Sequence, residues 1–290
     1  MIVRVPGSSA NLGPGFDCFG IAWQCYNTME FLPAEELSIT GCPEEFQNRE
    51  NLAFLGYEAV CRRAGVDADK VSIRFLESEI PVSRGLGSSA ALLVAGVAAA
   101  NALHKLGLSR EELLSIAAPL EGHPDNIAPS LLGGLSVSIM EEGRTVSRPF
   151  PVSDRLFFTA LIPNFKLSTS LARSVLPEQY SRADVIFNAS RASLLLRALA
   201  DGDGELLAYA MQDRVHQPYR ERLIDGFDKA KALASEMGAA ALCISGAGPT
   251  LLCVSEKEDF SGNMERVMSK ELPLWKTLPL QVDRAGVQCE

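Results

Sequence analysis

The sharpest chemical signal in this 290-residue chain lies between Pro81 and Ala91. The residues are Pro81, Val82, Ser83, Arg84, Gly85, Leu86, Gly87, Ser88, Ser89, Ala90 and Ala91, and they run directly into an Ala-rich stretch. Gly85 and Gly87 lack Cβ atoms, so the backbone there can bend sharply and approach a ligand closely. Ser88 and Ser89 stand where a helix would begin, and serine is a preferred N-cap. The first turn of a helix leaves N–H groups unpaired, and these, with the helix dipole, favour an anion, above all a phosphate. No Lys follows Gly87, so this is not a Walker A loop, and a third glycine is missing for a Rossmann fingerprint. By itself the stretch also fits a glycine-containing loop with an ordinary serine cap.

Other reactive or charged side chains stand in suggestive settings. His123, Asp125 and Asn126 fall in a Pro-interrupted segment after a predicted helix that carries Glu121 near its end. Asp17 closes a Gly-rich run that contains Asn11. Arg173 and Arg220 lie in helical patterns, and guanidinium groups bind carboxylates as a bidentate fork. Thr169, one helical turn before Arg173, can share its face. Residue by residue each has a plainer reading as well: Asp17 as a turn residue, the arginines as solvated helix faces, Glu121 as a surface acid. An acid at a helix C-terminus is disfavoured by the dipole, which makes Glu121 the more pointed of these.

These groups must be positioned by regular elements. Residues 1–6 read as a strand, 18–41 as two or three strands, and Asn51 caps a helix to about Arg63. Val71–Ser78 alternates as a half-buried strand. An apolar helix over 88–106 ends at Gly107, and a Ser109/Glu112 capping box opens a helix over 110–119 that Pro119 and Gly122 end. Gly134–Met140 and Arg155–Ile162 read as strands, and helices dominate from 168 to 237, with loops near 177, 202 and 217. Ala240–Ser245 and Thr250–Val254 are apolar strands joined by Gly246-Ala-Gly-Pro249, a tight connection between two buried strands. A helix near 259–270 and a strand near 279–288 finish the chain. The change of character near residue 153 predicts two domains, 1–153 and 154–290, in keeping with roughly 150 residues per domain.

Composition narrows the class. The chain is 47% hydrophobic and 22% charged, which suits a globular core. A net charge of −9 argues against nucleic acid or an anionic membrane as main partner. Seven cysteines, an odd number without a C-x-x-C pair, read as free thiols in a reducing cytoplasm. The uncharged run from Gly85 to Leu103 holds too many small and polar residues for a membrane span.

Three segments together resemble the GHMP kinases, the superfamily of galactokinase, homoserine kinase, mevalonate kinase and phosphomevalonate kinase. Pro81–Ala91 is similar to their phosphate-binding motif, and Ile244-Ser-Gly-Ala-Gly-Pro-Thr250 to their C-terminal Gly-rich motif. Ser8-Ser-Ala-Asn-Leu-Gly-Pro-Gly-Phe-Asp-Cys-Phe-Gly20 resembles the homoserine kinase branch, as does Glu121-Gly-His-Pro-Asp-Asn-Ile-Ala-Pro129. The sugar and mevalonate branches usually carry a basic residue before the Asn or Leu of the first motif and Gly-Glu-His after it. Ser9-Ala10-Asn11 and Gly15-Phe16-Asp17 occupy those places here.

The resemblance implies an α+β, two-domain GHMP kinase fold: an N-terminal domain like domain 2 of ribosomal protein S5 and a ferredoxin-like C-terminal domain. It implies transfer of the ATP γ-phosphoryl group to the hydroxyl of L-homoserine, giving O-phospho-L-homoserine in threonine biosynthesis. Residues 81–91 would cradle ATP, with Ser89 and Glu121 holding Mg²⁺. Asn11, Asp17, Thr169, Arg173, Arg220 and Gly246 would meet the amino acid, Asp17 pairing its ammonium. Asn126 would orient the hydroxyl where mevalonate-type relatives use an Asp base, leaving Asp125 and His123 as alternative bases. His104 and His216 carry no ligand pattern and read as structural or solvated. Analogy also implies a homodimer. The competing readings are a GHMP kinase for another alcohol, or a non-catalytic ligand-binding protein on the same fold; a P-loop ATPase lacks its lysine.

Overall fold

The computed structural model describes residues 1–290. A seven-stranded sheet is built from β1 (Ile2–Ala10), β2 (Phe19–Pro33), β3 (Ser38–Thr40), β4 (Val71–Ser78), β5 (Leu135–Glu141), β6 (Arg144–Phe150) and a short C-terminal β11 (Gln288–Cys289). The long β2 is the spine. Along one edge it pairs antiparallel with β1; along the other its beginning pairs with β5 and its end with β4. Helices α1 (Leu52–Ala64), α2 (Ser88–Leu103), α3 (Arg110–Glu121) and α4 (Ile127–Leu132) pack with this sheet. The apolar α2 buries ten of its sixteen residues, which is why its sequence shows no amphipathic stripe.

A second sheet of four antiparallel strands runs in the order β10 (Trp275–Leu280), β7 (Phe157–Pro163), β9 (Leu251–Ser255), β8 (Ala241–Ile244). Numbered within the sheet the order is 4-1-3-2. Between β7 and β8 lie α5 (Thr169–Ser174), α6 (Arg182–Asp201), α7 (Gly204–Ala210), α8 (Gln217–Arg220) and α9 (Phe227–Met237); α10 (Phe260–Glu271) joins β9 to β10. The strand period of two decides how these layers stack. Phe158, Ala160, Leu252 and Val254 face a core of 52 buried residues shared with the first sheet, while Leu161, Leu251 and Cys253 face a smaller core with α9 and α10. Trp23 of β2 packs on Phe158 of β7 with ring centroids 5.1 Å apart, so the two sheets share one interior.

Several boundaries differ from the sequence reading. Helix α2 stops at Leu103, with His104 as its cap, three residues short of the expected end. Pro119 lies inside α3 rather than ending it, and Gly122, at φ 91°, is the residue that stops the helix. Strand β6 is an addition: it forms a hairpin with β5 through Glu142 and Gly143, both at positive φ. The predicted strand over 279–288 resolves into two pieces. Strand β10 lies earlier, and the chain then returns to place β11 beside β1, with Ile2 and Glu290 exchanging backbone hydrogen bonds of 2.8 and 2.9 Å. Asp283 fixes this return by accepting from the N–H groups of Ala285 and Gly286. No helix is long and apolar enough to cross a membrane.

Candidate active site

The segment 81–91 passes from the end of β4 to α2 and is fastened from three sides. Gly87, at φ 71°, is the N-cap of α2 and offers no side-chain cap, so Ser88 and Ser89 belong to the first turn itself and not to the cap the sequence suggested. The leading amides of this long, buried helix are left without side-chain acceptors of their own, the condition for binding an anion. A Cβ at Gly85 (φ 79°) would stand 2.3 Å from Ser245 O, and one at Gly87 would stand 2.2 Å from Ser8 Oγ. Both positions therefore need glycine for backbone angle and for closeness. The 245–250 turn is both a connection between strands and a wall of the loop: Ser245 Oγ bonds Gly85 O at 2.5 Å and Ser9 Oγ at 2.6 Å, and Ser9 Oγ in turn accepts from Trp23 Nε1 at 2.8 Å. The Arg84 side chain turns away from the loop's centre. Its Nε donates to Pro163 O at 3.0 Å and its Nη2 to Asn164 O at 2.6 Å, so it staples the loop to the end of β7.

Ser89 Oγ donates to Glu121 Oε2 at 2.7 Å. The two residues come from opposite helix ends, the start of α2 and the last turn of α3, and they make a hard-oxygen pair beside the cradle. That is the donor chemistry Mg²⁺ selects.

Beyond α3 the chain runs through His123 to Asn126 and crosses β2 so closely that a Cβ at Gly20 would overlap Asp125 O. Asp125 is fully buried; its Oδ1 lies 2.6 Å from His123 Nδ1 and its Oδ2 has no partner. Burial pushes the His123 pKa down, but the hydrogen bond and charge of Asp125, with Glu121 behind, outweigh it and raise the imidazole overall. Asn126 is the N-cap of α4 by position, and its Oδ1 is held by Ser8 Oγ at 2.9 Å.

The loop after β1 completes the site. Asn11 and Asp17 both adopt left-handed angles, φ 58° and 55°, and Asn11 Oδ1 accepts from Asp17 N at 2.8 Å. Arg173 of α5 clasps Asp17 with two bonds, Nη1–Oδ2 at 3.0 Å and Nη2–Oδ1 at 2.6 Å. Asp17, His123 and Asp125 bring ligand atoms within 4.8 Å of one another, with Asp17 already paired to Arg173 and Asp125 to His123. Arg220 is buried, with Nε on Ala172 O at 3.1 Å and Nη1 on Gly246 O at 3.2 Å and near His216 Nδ1 at 3.3 Å. Burial and the Arg173 charge lower its pKa to about 10, which still leaves it cationic at neutral pH. Gly246 thus serves through its carbonyl, while Thr169 lies exposed at the start of α5 with no hydrogen bond into the cluster.

Sequence and fold together match a known family. Residues 51–134 fit the family model "GHMP kinases N terminal domain" and residues 195–274 fit "GHMP kinases C terminal". A homoserine kinase of Clostridium beijerinckii is 42% identical over 287 residues, covering 98% of this chain and 96% of that one. The chain belongs to the GHMP kinase family. It is an ATP-dependent small-molecule kinase with the two-domain fold of that family. Among solved structures, the homoserine kinase of Cytophaga hutchinsonii superposes with a TM-score of 0.86 at 26% identity, covering 99% of this chain and 96% of that one. A putative homoserine kinase of Listeria monocytogenes gives 0.82 at 30%, covering 99% and 98%.

Within this GHMP kinase, sequence reasoning missed two residues. Phe16 lies beneath both guanidinium groups, with the Arg220 and Arg173 Cζ atoms 5.1 and 5.5 Å from its ring centroid. His216, four residues before Arg220, is fully buried: its Nε2 lies 2.8 Å from Gly13 O and its ring stacks on Phe16 at 5.4 Å. It is structural as expected, but not solvated, and it ties the Asp17 loop to Arg220. Its spacing from Arg220, one helical turn, was the available signal.

Proposed function

We propose that the protein transfers the γ-phosphoryl group of ATP to the side-chain hydroxyl of L-homoserine. One observation carries this reading: two guanidinium groups over Phe16 stand together with the Asp17 and Asp125 carboxylates, and Arg220 bonds Gly246, which lies against Gly85 of the loop. A zwitterionic amino acid has the complementary charges. Its ammonium suits the carboxylate cluster, and its carboxylate suits Arg173 and the buried Arg220. Sugars and mevalonate lack the ammonium that the acidic half would select. The homoserine kinase relatives support the same substrate.

The chain's own groups divide the work. Bare amides from Gly85 to Ser89 receive the phosphate oxygens. Ser89 and Glu121 would hold Mg²⁺, which supplies charge neutralisation at the phosphates. The hydroxyl oxygen of homoserine bonds to the γ-phosphorus as the bond from that phosphorus to the bridging oxygen of ADP breaks, and the hydroxyl proton leaves to a phosphate oxygen or water. Such a loose, anionic transition state asks for positioning and charge rather than a strong base. Asn126 fits that role, and Asp125 is occupied by His123 on one oxygen. Seven free cysteines, three of them buried, accord with a reducing cytoplasm.

The test is ADP release measured side by side with L-homoserine, L-serine, L-threonine and mevalonate. Turnover is expected to be fastest with L-homoserine. Turnover of mevalonate without L-homoserine would overturn the substrate assignment.

A further inference from the structure

We infer that Ser8 is a positioning residue that fixes which end of the Asn126 amide faces the reacting groups. The inference rests on the phosphoryl-transfer reading above. Ser8 lies in β1, fully buried, and its Oγ is 2.9 Å from Asn126 Oδ1 and 3.3 Å from Asn126 O. Ser130 of α4, also fully buried, donates its hydroxyl to Ser8 Oγ at 3.3 Å. Gly87 of the phosphate loop passes directly over this pair: a Cβ there would be 2.2 Å from Ser8 Oγ and 3.1 Å from Asn126 Oδ1. The backbone N of Ser8 donates to Leu86 O at 3.1 Å, so the serine is itself registered to the loop.

The direction of hydrogen bonding follows from the donor inventory. A serine hydroxyl has one proton and two acceptor lone pairs. With Ser130 donating to Ser8, the proton of Ser8 is directed onto Asn126, where the oxygens Oδ1 and O await it. An amide has its acceptor at one end and two donors at the other. With Oδ1 held by Ser8, Nδ2 makes no hydrogen bond within the protein, and Asn126 keeps 9% of its exposure. Asn126 therefore presents N–H donors to the reacting centre and no acceptor. It can orient the attacking oxygen through a lone pair or hold a γ-phosphoryl oxygen, and it cannot take up the hydroxyl proton. A flipped amide would instead offer an acceptor, compete for that proton and turn its donors onto Ser8.

The test is a double-mutant cycle on the full-length protein, using kcat, KM for both substrates and the melting temperature. Ser8→Ala is expected to lower kcat by roughly 10- to 100-fold, the scale of a misplaced reacting group, with KM for ATP and acceptor within about twofold. In an Asn126→Ala background the same Ser8→Ala change is expected to alter kcat by less than about twofold, because residues acting as a unit are not additive. Equal losses in both backgrounds, a loss confined to KM, or no loss at all would overturn the proposal. Should S8A fold poorly, Ser130→Ala, which removes the donor that directs the Ser8 proton, is read by the same cycle. Wild-type turnover of L-homoserine is measured first. If another alcohol is turned over instead, the substrate assignment fails while the cycle, run with that alcohol, still decides the role of Ser8.

Discussion

Arg173 and Asp17, 156 residues apart in sequence, meet in a two-pronged ion pair that joins α5 to the loop after β1. In the absence of substrate the pair neutralises the two charges proposed to meet the amino acid against each other. Its side chains keep 37% and 33% of their exposure, so its contribution to stability is small and its value lies in holding both groups at the site. A zwitterion can enter by replacing one internal pair with two external ones.

Removing either partner should therefore affect binding more than folding. Arg173→Ala is expected to raise KM for L-homoserine by about 10- to 100-fold, since a hydrogen bond to a charged group is worth about 1.5–3 kcal/mol. KM for ATP and the melting temperature should stay close to wild type. Steady-state kinetics with each substrate varied in turn checks this.

The loop proposed to cradle phosphate depends on two missing Cβ atoms. Gly85→Ala would drive a Cβ to 2.3 Å from Ser245 O at a backbone angle of 79°. The expected outcome is a stability loss of about 1–3 kcal/mol from strain, together with a weakened affinity for ATP. Denaturant unfolding and nucleotide titration on the same preparation measure the two effects.

Ser89 and Glu121 face each other at 2.7 Å. Glu121→Gln keeps the shape and removes the charge. It should move the Mg²⁺ concentration needed for half-maximal turnover upward by at least about tenfold, with KM for L-homoserine unchanged. A magnesium titration at saturating substrates reads it directly; an unshifted curve would remove Glu121 from the metal site.

His216 makes stability sensitive to pH. Burial is the largest cause holding its pKa below the ordinary histidine value, with the Arg220 charge also lowering it and Asp213 opposing. In the unfolded chain the imidazole takes up a proton near pH 6.5, while in the fold it resists doing so. At this site the unfolded state thus binds more protons below that pH, so the His216 contribution lowers stability as pH drops from 7.5 toward 5.5, against the opposite contribution of His123. Unfolding midpoints across that range should decline less steeply in His216→Gln than in wild type.

Much of this protein was legible in its sequence, for local reasons. The capping box Ser109/Glu112, the Asn51 cap of α1 and the strand Val71–Ser78 form as read, because caps and period-two alternation are properties of neighbouring residues. The glycines at 85 and 87 could be tied to a sharply bent loop for the same reason. The β6 strand and the division of the last predicted strand were not legible. Arg144–Phe150 starts on a charge and carries Arg148 and Pro149 near its end, and β11 is two exposed residues that pair with the edge of β1.

The sequence determined which chemical groups exist and which short stretches bend, because these depend on residue type and on contacts a few positions away. Tertiary structure alone decided what those groups do. It turned the Arg84 guanidinium onto Pro163 and Asn164, made Asp17 the partner of Arg173, slid Phe16 beneath two guanidinium groups and set Ser8 against Asn126. Each of these pairs is separated by 79 residues or more. Directional hydrogen bonds across such distances need segments remote in sequence to be packed together, as Trp23 and Phe158 pack the two sheets, and that packing is written in no single segment.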